Sequence, residues 1–192
     1  METGRGVIIV DIQNDFCEGG VLAAKDTESL IQPVNDFTHN ALKTNTFCVF
    51  TRDWHPVDHI SFTSEGGPWP PHCVQGSIGA EFANGLIIPE SSLVKDLKKD
   101  IHRNEMGYSA FQNTNLAKIL HEKGITELCI IGIATDYCVK ETVLDALKNG
   151  FGVNVLTDLI RPVELNPGDS DRAIAEMKTA GAELMSSRDY SL

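Results

Sequence analysis

No stretch of this 192-residue chain approaches the ~20 consecutive apolar residues that a membrane-crossing helix needs. Basic residues are scarce: 16 Lys and Arg stand against 27 Asp and Glu, a net charge of -11, and they form no cluster. Nucleic acid and anionic membrane surfaces both reward basic patches, so neither is an expected partner. A small uncharged ligand remains open, and so does a homo-oligomer. Cysteine is limited to Cys17, Cys48, Cys73, Cys129 and Cys138, an odd count without a Cys-x-x-Cys pair. A disulfide framework is therefore not expected, and a reducing cytoplasm is the expected compartment. Residues 1–6 are short and polar and run straight into an apolar segment, so a secretory signal is not expected. No internal repeat, low-complexity tract or linker interrupts the chain. The expectation is one domain over residues 1–192, with a core large enough for helices on both sides of a sheet.

Short apolar runs alternate with segments of helical period. Strands are expected over residues 6–11, 46–51, 127–132, 153–157 and 182–185, with a weaker one over 99–103. Helices are expected over 27–43, 114–122, 135–148 and 170–179, with a shorter one over 91–97. This alternation predicts an α/β fold: a doubly wound, mostly parallel six-stranded sheet with helices on both faces, a Rossmann-like three-layer sandwich. Right-handed crossovers bring the βα loops together at the carboxyl edge of such a sheet. Asp11, Asp53, Arg103 and Cys138 all fall at or just after expected strand ends, so they can converge there. Residues 53–89 form the longest irregular stretch, and loops of that length in compact domains are usually functional.

Cys138 stands where an apolar strand gives way to a helix. There the helix dipole and unpaired N–H groups lower a thiol's pKa, and turn amides can stabilise an oxyanion. The alternative is a buried structural thiol. Asp11 ends a buried strand and is suited to moving a proton to and from a nucleophile, or to capping its loop. In Asp53-Trp54-His55, the two-residue period of an extended chain aligns one carboxylate with one imidazole. His59, Glu65 and His72 follow on the same loop. One carboxylate and two imidazoles suit Zn²⁺, Fe²⁺ or Mn²⁺. Phe16, Trp69 and Tyr108 lie nearby in sequence and could form a slot for a flat ring.

Taken together, Asp11-Ile-Gln-Asn-Asp-Phe16, Arg52-Asp-Trp-His-Pro56, Trp69-Pro-Pro-His-Cys73, Tyr108-Ser-Ala-Phe111 and Gly132-Ile-Ala-Thr-Asp-Tyr-Cys138 resemble the nicotinamidase/pyrazinamidase family of isochorismatase-like cysteine hydrolases. The motifs come in family order and span nearly the whole chain. The resemblance implies deamidation of nicotinamide to nicotinate and ammonia through a cysteine thioester, with pyrazinamide as a second substrate. It implies Cys138 as nucleophile, Asp11 as proton shuttle and the N–H groups of Ala134 and Cys138 as oxyanion hole. It implies a cis peptide between Ile133 and Ala134, and a divalent ion, zinc first, on Asp53, His55 and His72. His59 and Glu65 each stand near a further ligand position. Phe16, Leu22, Trp69, Tyr108, Ile133 and Tyr137 match pocket positions. The family's third catalytic residue is a lysine at the end of the third strand. The expected strand over 99–103 puts Arg103 there, with Lys99 as the alternative. An arginine at that point also admits a cysteine amidohydrolase for another amide, or a binding protein without turnover.

Overall fold

The computed structural model describes residues 4–192. Six strands make one sheet: β1 (Gly4–Val10), β2 (Phe47–Asp53), β3 (Val94–Lys99), β4 (Ile125–Ile133), β5 (Gly152–Arg161) and β6 (Glu183–Met185). Their order is β3-β2-β1-β4-β5-β6, and every pairing is parallel. Four α-helices connect them: α1 (Glu28–Lys43), α2 (Leu116–Glu122), α3 (Lys140–Lys148) and α4 (Asp169–Ala180). None is long and apolar enough to cross a membrane.

The side-chain alternation of β1 builds the two core layers. Val7 and Ile9 point to one face and pack with Leu30, Val34, Phe37 and Ala41 of α1. Ile8 and Val10 point to the other and pack with Leu116 and Leu120 of α2, Val143 and Ala146 of α3, and Met177 of α4. On the α1 side only one helix is available. Loops cover the rest of that face, among them the long loop 54–93, which buries Cys73, Ala80 and Ala83 against it. Apolar contact with the sheet therefore anchors the loop that carries the histidines.

The strand order reverses between β1 and β4. Loops leaving those two strands diverge to opposite faces, and the crevice between them is where doubly wound sheets bind ligands. Asp11 follows β1 directly, and Ala134 and Cys138 follow β4. Gly132 makes this closeness possible. Its φ is +119°, and a Cβ there would stand 2.2 Å from the carbonyl oxygen of Val10 and 2.6 Å from its nitrogen.

Three expectations are corrected here. Residues 91–97 are not a helix, and the third strand is Val94–Lys99 rather than 99–103. It is an edge strand in which Leu97 and Lys99 are buried while Asp96 and Lys98 are exposed. Charges are common on edge strands because they discourage pairing with other chains, and here they mask the two-residue period. The helix expected over 135–148 opens with a π-helical turn, Thr135–Val139, before α3 begins.

Candidate active site

The corrected strand sets the chemistry. Parallel register pairs Lys99 with Asp53 at the ends of β3 and β2. Lys99 is 1% exposed. Its Nζ lies 3.0 Å from Asp11 Oδ2, hydrogen-bonds Asp53 Oδ1 and donates to Cys138 Sγ at 3.6 Å. A buried ammonium needs counter-charge, and two carboxylates supply it. Asp11, wholly buried with φ +46°, receives the Thr51 hydroxyl at Oδ1 (2.7 Å). Its Oδ2 takes the ion-pair contact from Lys99 and no aligned hydrogen bond. Asp11, Asp53 and Cys138 each offer an atom within 4.8 Å of the others.

Arg103 does not join this group. Its side chain is 46% exposed and pairs with Asp58 at 3.2 Å and Glu65 at 2.8 Å. The strand ends four residues earlier than expected, so Lys99 occupies the carboxyl edge and Arg103 has passed beyond it into a surface loop.

The ionisation of the site follows from burial set against these charges. Burial raises the Asp11 carboxyl above its ordinary value, and the ammonium of Lys99 only partly offsets this. Burial also pushes the Cys138 thiol well above its usual range, again with Lys99 opposing. The expected lowering of the thiol by a helix start is not found, because desolvation of a thiolate at 6% exposure outweighs the local dipoles. For Lys99 itself burial is unfavourable, but Asp11 and Asp53 outweigh it and hold the ammonium charged. Burial thus favours the neutral thiol at Cys138, while the Asp11 carboxyl lies within ion-pair distance of Lys99.

Asp53, His55 and His72 present buried ligand atoms within 4.8 Å of one another, the metal-type group expected of them. His55 Nε2 lies 3.5 Å from Asp53 Oδ2, while its Nδ1 is buried without a partner. His72 Nδ1 is engaged by the carbonyl of Pro70 at 2.8 Å, which turns Nε2 toward the group. Burial lowers the His72 pKa and favours the neutral imidazole that metals bind. Phe62 packs edge-on against both rings. The donor set and the orphaned nitrogen fit a divalent ion. His59 stacks on His55 at 4.2 Å, but both its nitrogens are taken, by Ser61 Oγ and the carbonyl of Glu105. Glu65 is held by Arg103. Neither belongs to the three-residue group.

Above these residues lies a small apolar pocket. Phe16, Leu22, Trp69, Tyr108, Ala134 and Tyr137 line it, with Cys138, Asp53 and His72 at its base. Trp69 donates to the Tyr108 hydroxyl at 3.0 Å, and both rings pack against Tyr137. Ile133 was expected on the wall but is fully buried in the core. It precedes a cis peptide to Ala134, and it is Ala134 that faces the pocket. The remaining wall is Val163, from the loop after β5, which no local pattern marked. Asp136 brings it there by accepting the N–H groups of Val163 (3.0 Å) and Glu164 (2.8 Å).

Comparison with known proteins gives a consistent result. A family model described as the isochorismatase domain matches residues 5–189. A nicotinamidase of Escherichia coli (strain K12) is 37% identical, with 97% of this chain and 96% of the relative covered. A pyrazinamidase of Pyrococcus horikoshii, solved in complex with zinc, superposes with a TM-score of 0.89 at 41% identity. It covers 95% of this chain and 98% of its own. PnC1 from L. infantum, solved with nicotinate, gives a TM-score of 0.86 at 38% identity over 98% and 95% of the two chains.

Proposed function

The chain belongs to the isochorismatase family, and on that premise we propose that it deamidates nicotinamide to nicotinate and ammonia. The observation that carries the reading is the contact of Lys99 with both Asp11 and Cys138 at the base of an aromatic pocket. A thiol, a proton acceptor and a fixed positive charge are the groups that acyl transfer from an amide requires. The reading takes residues 1–192 as one such domain, sited in the cytoplasm, where its five unpaired cysteines would stay reduced.

Asp11 takes the proton of the Cys138 thiol as Sγ attacks the carboxamide carbon. The carbonyl electrons move onto oxygen, which the N–H groups of Ala134 and Cys138 receive. The charge of Lys99 favours the ionised form of Asp11 against the opposing effect of burial, and offsets the negative charge developing on sulfur. Asp11 returns the proton to the amide nitrogen, the C–N bond breaks, and ammonia leaves behind a thioester. Asp11 then takes a proton from water as its oxygen attacks the thioester carbon. The C–S bond breaks, nicotinate departs, and the proton returns to sulfur. Cys138 needs no thiolate at rest in this scheme, which agrees with its raised pKa.

Asp53, His55 and His72 would hold the divalent ion, with zinc the first choice for this donor set. Bound there, the ion would supply Lewis-acid chemistry for orienting a nitrogen heteroaromatic ring. Phe16 and Trp69 would hold the flat ring, and pyrazinamide, also a nitrogen heteroaromatic carboxamide, fits the same demands. The reading without turnover rested on an arginine in place of lysine, and the contacts of Lys99 with Asp11 and Cys138 support the reading with turnover instead.

The test is ammonia release from nicotinamide by wild type, by Cys138→Ala, and by wild type treated with chelator. Turnover that is absent in the variant and reduced by chelator is expected. No turnover from metal-loaded wild type overturns the assignment.

A further inference from the structure

We propose that Gln13 is the positioning residue of the metal centre, fixing the ligand Asp53 through its backbone so that metal affinity depends on it. The inference rests on the metal-binding reading above. Gln13 is completely buried, so its side-chain amide has no access to water. It makes three hydrogen bonds. Its Nε2 donates to the carbonyl of Asp53 and to that of Ala80, each at 2.9 Å. Its Oε1 accepts the N–H of Asp53 at 2.8 Å. The backbone N–H of Asp53 can only donate and the two carbonyls can only accept, so the orientation of the amide is fixed by its partners.

The reason for this arrangement lies in the sheet. β1 pairs with β2 only as far as Ile9 and Phe50, and Asp11 makes a last bond to the carbonyl of Thr51. Beyond that point β1 has ended, and the N–H and C=O of Asp53 on that side would be left without a strand. Buried backbone groups must be paired. The amide of Gln13 presents a donor and an acceptor as a peptide would, and so extends the ladder to the last residue of β2. Its second donor bond ties Ala80, on the loop that carries His55 and His72, to the same point. His72 is held separately, by Pro70 and by Asp15, which accepts the N–H of Cys73 at 2.7 Å. Gln13 thus acts on Asp53 and on the seating of the loop.

The test is the affinity for Zn²⁺ alone, measured on metal-stripped full-length protein by competition with a chromogenic chelator. Gln13→Ala removes all three bonds. Gln13→Glu keeps the acceptor for Asp53 N–H but turns a carboxylate oxygen on two carbonyls, and it provides a second variant should the first fail to fold. Both are expected to bind zinc about 10- to 100-fold more weakly, the usual cost of losing a partner that orients a ligand. Leu120→Ala, a core change in α2 remote from the loop, serves as a matched loss of melting temperature and is expected to keep wild-type affinity. Zinc affinity within twofold of wild type in the folded variants overturns the proposal, as does an equal weakening in Leu120→Ala. A wild type that binds no zinc overturns it together with the metal reading. A wild type that binds zinc but releases no ammonia overturns the activity alone and leaves Gln13 testable.

Discussion

Lys99 Nζ sits 3.0 Å from Asp11 Oδ2 and also pairs with Asp53, so one buried ammonium faces the carboxylate of the proposed proton shuttle and a carboxylate of the candidate metal group together. Lys99→Met should strand both carboxylates in the interior without a cation. Breaking a buried ion pair from one side costs about 3–5 kcal/mol, so a large fall in melting temperature is expected. Ammonia release should be abolished. Lys99→Arg should retain charge and much of the stability but place a broader, differently directed group beside sulfur, with turnover reduced by orders of magnitude. Thermal denaturation and single-turnover kinetics on both variants check this.

Arg103→Ala is the matching control. Its two partners lie on the surface, and exposed ion pairs contribute about 0–1 kcal/mol. Turnover should stay within about twofold of wild type. Loss of activity at this position would return Arg103 to the catalytic group and contradict the role given to Lys99.

Why Lys99 and Arg103 exchanged places says what was legible. The apolar strands β1, β2 and β4 declare themselves by hydrophobic runs, and Asp11, Asp53 and Cys138, at or beyond their ends, could be singled out from position, spacing and residue type. β3 carries four charges in six residues and hides its period. A signal was present: Leu97 and Lys99 are two apart, and a lysine sharing a face with a core leucine is a lysine that must find partners inside. Val163 and Asp136 were beyond reach for a different reason. Their relation is a tertiary hydrogen bond across 27 residues, set by where two loops end and not by any local pattern. Gln13 carried no reading of its own, because a side-chain amide that substitutes for a missing strand leaves no periodic trace.

The pH profile has a defined direction. In the proposed mechanism Asp11 must be ionised to receive the thiol proton, and burial raises its pKa above the ordinary 3.8. As pH falls through that raised value the ionised fraction drops tenfold per unit. The acid limb of kcat/KM is therefore expected at higher pH than an unperturbed aspartate would give. On the alkaline side Cys138 remains a thiol well past its ordinary value of 9.0. Alkylation of free enzyme by iodoacetamide, followed by peptide mapping, should therefore leave Cys138 slow at neutral pH. Fast labelling there would mean that a thiolate is present at rest and that Asp11 is not needed to form it.

Gly132 is expected to tolerate no side chain. An added Cβ would lie 2.2 Å from the carbonyl oxygen of Val10 in a backbone conformation that L-residues rarely adopt. Both the contact and the φ are unfavourable, and Gly132→Ala should cost roughly 3 kcal/mol or more. The clash presses on the end of β1, one residue before Asp11, so the surviving folded fraction should also be impaired in turnover. Denaturant unfolding measures the first effect and active-site titration against folded protein measures the second.

Asp136 links the turn that carries Cys138 to the far wall of the pocket. Its two oxygens accept consecutive N–H groups, and Glu164, at φ +57°, uses its own carboxylate to receive the N–H of Gly168 at 2.7 Å, just ahead of α4. The wall is therefore held by a relay from the π-helical turn to a helix start. Hydrogen bonds to a charged group contribute about 1.5–3 kcal/mol each. Asp136→Asn keeps the shape but can accept only one of the two N–H groups, since its NH₂ must face the other. The loop should loosen and Val163 should lose its fixed place over the ring, while Cys138, Asp11 and Lys99 stay paired. KM for nicotinamide should rise about tenfold with kcat changed far less, and amide exchange should quicken at Val163 and Glu164. A fall in kcat at constant KM would instead mean that Asp136 acts on the orientation of the nucleophile.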